Sequence, residues 1–284
     1  MNIAELERAP LRGRLRFDES AAKHSEWRIG GPIARFYEPA SVDDLLRFLQ
    51  ILPSIDVVVW MGAGCNLLVR DGGFPGTVIA PRRAFDSIEL VADSVVRAGS
   101  GVRLPKLARF CAQYGLSGAE AFHSWPHTVG GALQLCVSRG QQSLWPLVEN
   151  VTTLDRYGES RTLSLPVLRE QGLPSGAWLV AAQLRLMTYR GAPVRARTAT
   201  SAGHGPLFRA TQGREVHDLI RQAGLEGIRS GGIELAVDDA NYVHVKKSAL
   251  VSDVERLIVR IQDAVRAKLG VRLERQVQLL GRRQ

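Results

Sequence analysis

The stretch "WMGAGCNLLVRDGGFPGTVIA", residues 60 to 80, joins one apolar run, Val57 to Trp60, to a second, Thr77 to Ile79, through a glycine-rich bend. Successive glycines let main-chain N–H groups converge with no side chains between them, which makes a nest for phosphate oxygens. Gly62, Ala63, Gly64, Cys65 and Asn66 are the candidate nest. The dinucleotide fingerprint of doubly wound sheets runs from G-x-G-x-x-G into a helix, whereas Gly64 is followed by "CNLLV", which reads as a strand or tight turn. A Rossmann site is therefore disfavoured. A hairpin bend with no ligand has the same local signature, so the neighbouring segments decide. Two more small-residue stretches occur, "AGSG" at 98–101 after an apolar strand and "WPHTVGGAL" at 125–133, where Gly130 and Gly131 follow the Thr128 hydroxyl. Three such openings suit an extended pyrophosphate cofactor better than a single anion.

The rest of the chain bounds this reading. It has 284 residues, 45% hydrophobic and 23% charged, enough for a substantial core in one large domain or a few smaller ones. The formal charge of +9 is carried mostly by arginine, scattered rather than run together, and aromatics make up 6%. That pattern disfavours nucleic acid and leaves phosphate-bearing small molecules as the charged partners to consider. Cys65, Cys111 and Cys136 lack CxxC spacing, which disfavours both a disulfide scaffold and a metal site. With no signal peptide and no apolar run of membrane-spanning length, a cytoplasmic protein is expected.

Hydrophobic periodicity predicts α+β structure. A helix over 41–50 is capped by Ser41, and Pro105 and Gly115 bracket another. Short strands are expected at 57–60, 86–91, 95–98, 149–155, 159–163 and 178–187. The small-residue stretch 189–206 marks a domain junction. Beyond it lie a helix ending at Gly224 and a long helix opened by a Ser252/Glu255 capping box and stopped by Gly270, with strands near 242–245 and 276–280.

Taken together, "SEWRIGGPIARFYEP" (25–39), "GAGCNLLVRDGGFPGTVI" (62–79), "PHTVGGAL" (126–133), "SAGHGPLFR" (201–209) and "LGVRLERQVQLLG" (269–281) resemble, in order and spacing, the UDP-N-acetylenolpyruvoylglucosamine reductases, FAD enzymes of cell-wall synthesis. The resemblance implies a vanillyl-alcohol-oxidase/PCMH-type FAD-binding domain of two subdomains over 23–188, after an arm at 1–22, and a C-terminal α/β substrate domain over 198–284. It implies FAD contacts at Arg28, Gly62, Ala63, Gly64, Cys65, Asn66, Leu67, Trp125, Thr128, Gly130, Gly131 and Val180. It further implies NADPH as hydride source, a UDP-sugar or other anionic ligand, and a place beside cell-wall-synthesis proteins.

Several positions depart from the family pattern. Cys65 stands where serine is usual, either as a small substitute or as a thiol able to link a flavin. Trp125 and His127 add bulk to a segment that normally reads I-P-G-T-V-G-G-A. The proton-donating serine of the S-A-G-S motif is replaced by His204, and the C-terminal glutamate by Gln276, which cannot ionise. The Y-R-x-S arginine has no counterpart, because "LREQGLPSGAW" (168–178) runs straight into the next strand. Members of a catalytic set act non-additively, so these losses together point to an FAD-binding protein with lost or strongly reduced family activity. The alternative is a divergent reductase of the same or another anionic substrate, with His204, His123 or His127 as acid/base and Arg190, Arg195 and Arg197 holding an anionic group.

Overall fold

A computed structural model describes residues 11–135, 138–139, 142–188, 203–209 and 213–283. The sequence expectations for Cys136, for most of the 189–206 junction and for the Arg190, Arg195 and Arg197 group lie outside the described residues. The chain divides into two compact units, one of Met1–Arg16, Phe36–Ala63 and Thr77–Ala199, the other of Phe17–Arg35, Gly64–Gly76 and Thr200–Gln284. Each unit is discontinuous in sequence. The division passes inside strands Arg14–Ser20, Pro32–Glu38 and Phe74–Ile79.

The first unit is built on an antiparallel five-stranded sheet in the order Ser160–Ser164, Val148–Leu154, Trp178–Arg185, Val95–Gly99, Ile88–Ala92. Helix Leu104–Gln113 starts with Pro105 in its first turn, where a missing N–H costs nothing, and buries Leu104, Leu107, Ala108 and Cys111. Leu104, Leu107 and Cys111 join Val96, Ala98, Val151, Leu179 and Leu184 in one core. Helix Val42–Ile51 is capped as its sequence predicts, Ser41 Oγ accepting from the Asp44 amide at 3.2 Å. It packs Leu45, Phe48 and Leu49 against Tyr37 and Ile79. Strands Val58–Trp60 and Thr77–Ile79 pair in parallel, so the two apolar runs flanking the glycine bend lie side by side.

The second unit buries Val251, Val254, Leu257, Ile258, Ile261 and Val265 along helix Val251–Leu269. Each such side chain contributes roughly 1.5–3 kcal/mol of transfer free energy. The start of this helix differs from the sequence expectation. Asp253, not Glu255, accepts from the amide of Leu250, at 3.0 Å, and the next two amides, Val251 and Ser252, donate to the carboxylate of Asp71 at 3.0 Å each. A capping carboxylate this far away in sequence outcompetes the local serine, and Glu255 is drawn instead to Arg70 at 3.0 Å. Strand Gln278–Leu280 runs parallel to Leu67–Val69, and Arg229–Ser230, Ile233–Leu235 and Val243–Val245 form a three-stranded antiparallel sheet.

Candidate functional site

In the second unit the glycine bend is fastened by its carbonyls. Gly64 O accepts from Ser25 Oγ at 3.2 Å and from the Glu26 amide at 3.3 Å, Cys65 O accepts from the Trp27 indole Nε1 at 2.6 Å, and Asn66 O accepts from the Gln278 amide at 2.9 Å. Gly64 has φ +72°, and a Cβ there would sit 2.5 Å from His24 O, so only glycine takes this corner. The amides of Gly64 and Asn66 meet no acceptor among the described residues, although both residues are buried. Asn66 Nδ2 donates to Gln276 O at 2.8 Å, while its buried Oδ1 has no partner among the described residues. Buried amides without acceptors are rare because each forfeits its hydration. With the carbonyls consumed and the N–H groups left over, this corner suits an anion such as the diphosphate of FAD.

In the first unit the amides of Gly62 and Ala63 are likewise without acceptors among the described residues. The other two small-residue corners differ from the sequence expectation of three open nests. Gly99 N donates to Ser87 O, Ser100 N to Val180 O at 2.8 Å, and Gly101 N to Phe85 O at 2.8 Å. Val129 N donates to Val102 O, Gly130 N to Ser100 O, and Gly131 N to Thr128 Oγ1, which caps the short helix Val129–Gln134. Their glycines serve close backbone packing: a Cβ at Gly99 would lie 2.2 Å from Phe85 O, and one at Gly130 2.7 Å from the Ser100 side chain. Trp125 is 2% exposed and turns into this unit's core, edge-on to Phe122 at 5.2 Å. His127 is buried, His123 exposed, and Val180 takes part through its carbonyl.

The catalytic candidates fall in the second unit. His204 bridges Val243 through reciprocal main-chain bonds of 2.8 and 2.9 Å, and its ring stacks on Trp27 with centroids 5.5 Å apart. Burial holds its imidazole below the usual histidine value; Glu26 opposes this, and His244 and Arg28 reinforce it. The protonated form is thus scarce near neutral pH, which weakens this group as a proton donor. Gln276 is 5% exposed, its amide donating to Leu207 O at 2.7 Å. Leu67 is buried in the strand paired with Gln278–Leu280. Arg28 is exposed and left-handed at φ +55°, a conformation that bulky side chains seldom adopt. Trp27, Glu26 and His244 escape the sequence reading, although "SEWRIGG" marks the first two. Among the described residues there is no cluster of three metal-ligating side chains and no helix long and apolar enough to cross a membrane.

Comparison with known proteins supplies the family. Residues 33–164 match the FAD binding domain model, and residues 193–280 match the C-terminal domain model of UDP-N-acetylenolpyruvoylglucosamine reductase. The reductase of Methylococcus capsulatus is 35% identical, covering 97% of this chain and 96% of its own, and that of Nitrosococcus oceani is 37% identical, covering 96% and 97%. The crystal structure of the reductase MurB from Thermus caldophilus superposes with a TM-score of 0.73 at 24% identity, over 95% of this chain and 99% of that one. The fold is thus α+β, a PCMH-type FAD-binding domain followed by the reductase C-terminal domain. With relatives this similar along nearly its full length, the chain belongs to the UDP-N-acetylenolpyruvoylglucosamine reductase family.

Proposed function

We propose that this chain is a flavin-binding member of its family in which reduction of UDP-N-acetylenolpyruvoylglucosamine is lost or strongly reduced. The observation that carries this reading is the pair of exchanges in the second unit: a half-buried imidazole held neutral against Trp27, and a carboxamide at Gln276, stand at the positions of the family's serine and glutamate. Neither supplies a proton readily at neutral pH. Bound FAD would supply the two-electron carrier chemistry of the family. The amides of Gly62, Ala63, Gly64 and Asn66 are proposed as its phosphate contacts, with Arg28, Cys65, Leu67, Trp125, Thr128, Gly130, Gly131 and Val180 proposed around it. The domain reading behind this places flavin binding in 23–188 and substrate binding in 198–284. The substrate would remain a ligand, and the protein would act by binding, beside other cell-wall-synthesis proteins.

A second reading, a divergent but active NADPH-dependent reductase of that substrate or another anionic one, draws support from identities of 33–37% to curated reductases along the whole chain. One experiment separates the two. The purified protein is examined for flavin absorption, then mixed anaerobically with NADPH alone and, in a second sample, with NADPH and UDP-N-acetylenolpyruvoylglucosamine together. The proposal expects a yellow protein with substrate turnover far below an ordinary enzymatic rate of about 10 per second. Turnover at that ordinary rate overturns it, and a colourless protein that takes up no FAD overturns the flavin claim. Release of the chromophore on denaturation identifies Cys65 as a plain serine substitute; retention identifies a thioether.

A further inference from the structure

The first unit holds a concave surface that the flavin reading leaves unused. A cavity of about 550 Å³ is lined by Arg82, Arg83, Arg103, Lys106 and Arg109, with Glu38 and Asp86 as its carboxylates. Both carboxylates are engaged: Glu38 accepts from Arg16 at 2.7 Å and Asp86 from Lys106 at 3.1 Å. Arg82, Arg83 and Arg109 have no acidic partner among the described residues. The backbone creates this crowding. A Cβ on Gly101 would lie 2.2 Å from Arg82 O, so glycine lets the Pro81–Phe85 turn seat against the end of strand Val95–Gly99. Arg82 and Arg83 thereby share a cavity with Lys106 and Arg109, which lie three residues apart on helix Leu104–Gln113.

Unpaired like charges gathered in one cavity repel, a cost to the fold that a bound polyanion removes. Arginine forks match phosphate oxygens two at a time. Pro39, Ala80 and Pro105 give the same cavity an apolar wall, and its volume falls in the range of small-molecule sites. We propose that this cavity binds a nucleoside diphosphate, the linked phosphates on Arg82, Arg83 and Arg109 and the nucleoside against the prolines. None of these side chains is among the flavin contacts proposed above.

Calorimetric titration of the purified full chain with ADP and UDP, with adenosine as control, tests this. Binding of at least one diphosphate is expected, weakening with salt, with none for adenosine. Arg83→Gln with Arg109→Gln, both exposed positions, is expected to weaken it about tenfold per arginine at unchanged circular dichroism. Flavin absorption, followed in the same cell, is expected to stay constant. Absence of diphosphate binding, equal affinity in the double variant, or stoichiometric release of flavin by the diphosphate would each overturn the assignment. The titration is repeated on flavin-free chain, so a colourless protein defeats the flavin reading without touching this one.

Discussion

The side-chain amide of Asn66 donates to the main-chain carbonyl of Gln276 at 2.8 Å, both residues buried, so a residue of the glycine bend is tied to the segment that leads into strand Gln278–Leu280. Replacing Asn66 with alanine leaves that carbonyl buried without this donor. The expected loss is about 1–3 kcal/mol of stability, read from urea unfolding, with weaker FAD uptake in a flavin titration. A variant of unchanged stability would detach the bend from Gln276.

Introducing an ionisable group by Gln276→Glu places a carboxyl in a site 5% exposed. Burial raises a carboxyl's midpoint above its unfolded value. The variant is then penalised at pH values above the unfolded midpoint of about 4.3, and the penalty fades as pH falls through it. Urea midpoints at pH 7.5 and pH 4.5 are expected to show a larger deficit relative to the parent at the higher pH. Combined with His204→Ser, the same change is expected to raise substrate turnover above that of the parent chain.

His204 makes the opposite titration visible. Its imidazole is held low chiefly by burial, so on acidification the unfolded chain takes up the proton first. Stability is untouched by this group well above the ordinary histidine midpoint of about 6.5, falls as pH drops through it, and stops falling below the depressed folded midpoint. His204→Asn is expected to flatten the stability profile as pH falls through the ordinary histidine midpoint of about 6.5, whatever it costs in stacking on Trp27.

In the first unit, Tyr37 donates its hydroxyl to Asp44 at 2.6 Å, and the amides of Arg12 and Ala40 donate to the same carboxylate at 2.7 and 2.9 Å. Burial raises the Asp44 carboxyl, and these donors outweigh it, leaving the midpoint below the usual value. The stability this confers is present above the unfolded midpoint and lost as pH falls through the folded one. Tyr37→Phe is expected to cost about 1–3 kcal/mol at pH 7 and to move the onset of acid unfolding to higher pH.

The Cys111 thiol is pushed up to about 12, mainly by burial and further by Glu120. Thiolate is the reactive form, so iodoacetamide at pH 8 is expected to leave Cys111 unmodified in native protein and to alkylate it in urea, as peptide mass mapping would read. Native labelling at Cys111 would contradict the core packing of helix Leu104–Gln113.

Local chemistry carried much of this protein into view. The Ser41 cap, the Pro105 helix start and the stops at Gly224 and Gly270 each depend on interactions within a few residues, and the structure has them. The ordered motifs, read along the whole chain, identified the family. Three things depended on partners distant in sequence. Asp71 rather than Ser252 with Glu255 capped the long helix. Among the described residues, one of the three glycine corners kept unaccepted amides, because strand and turn carbonyls reached the other two. Trp125, read from the sequence as bulk in the flavin segment, turned into the core of its own unit. A glycine or a bulky ring has the same letters whether its neighbours are water, ligand or backbone, and which of them meets it is settled only when segments far apart in the chain are packed against each other.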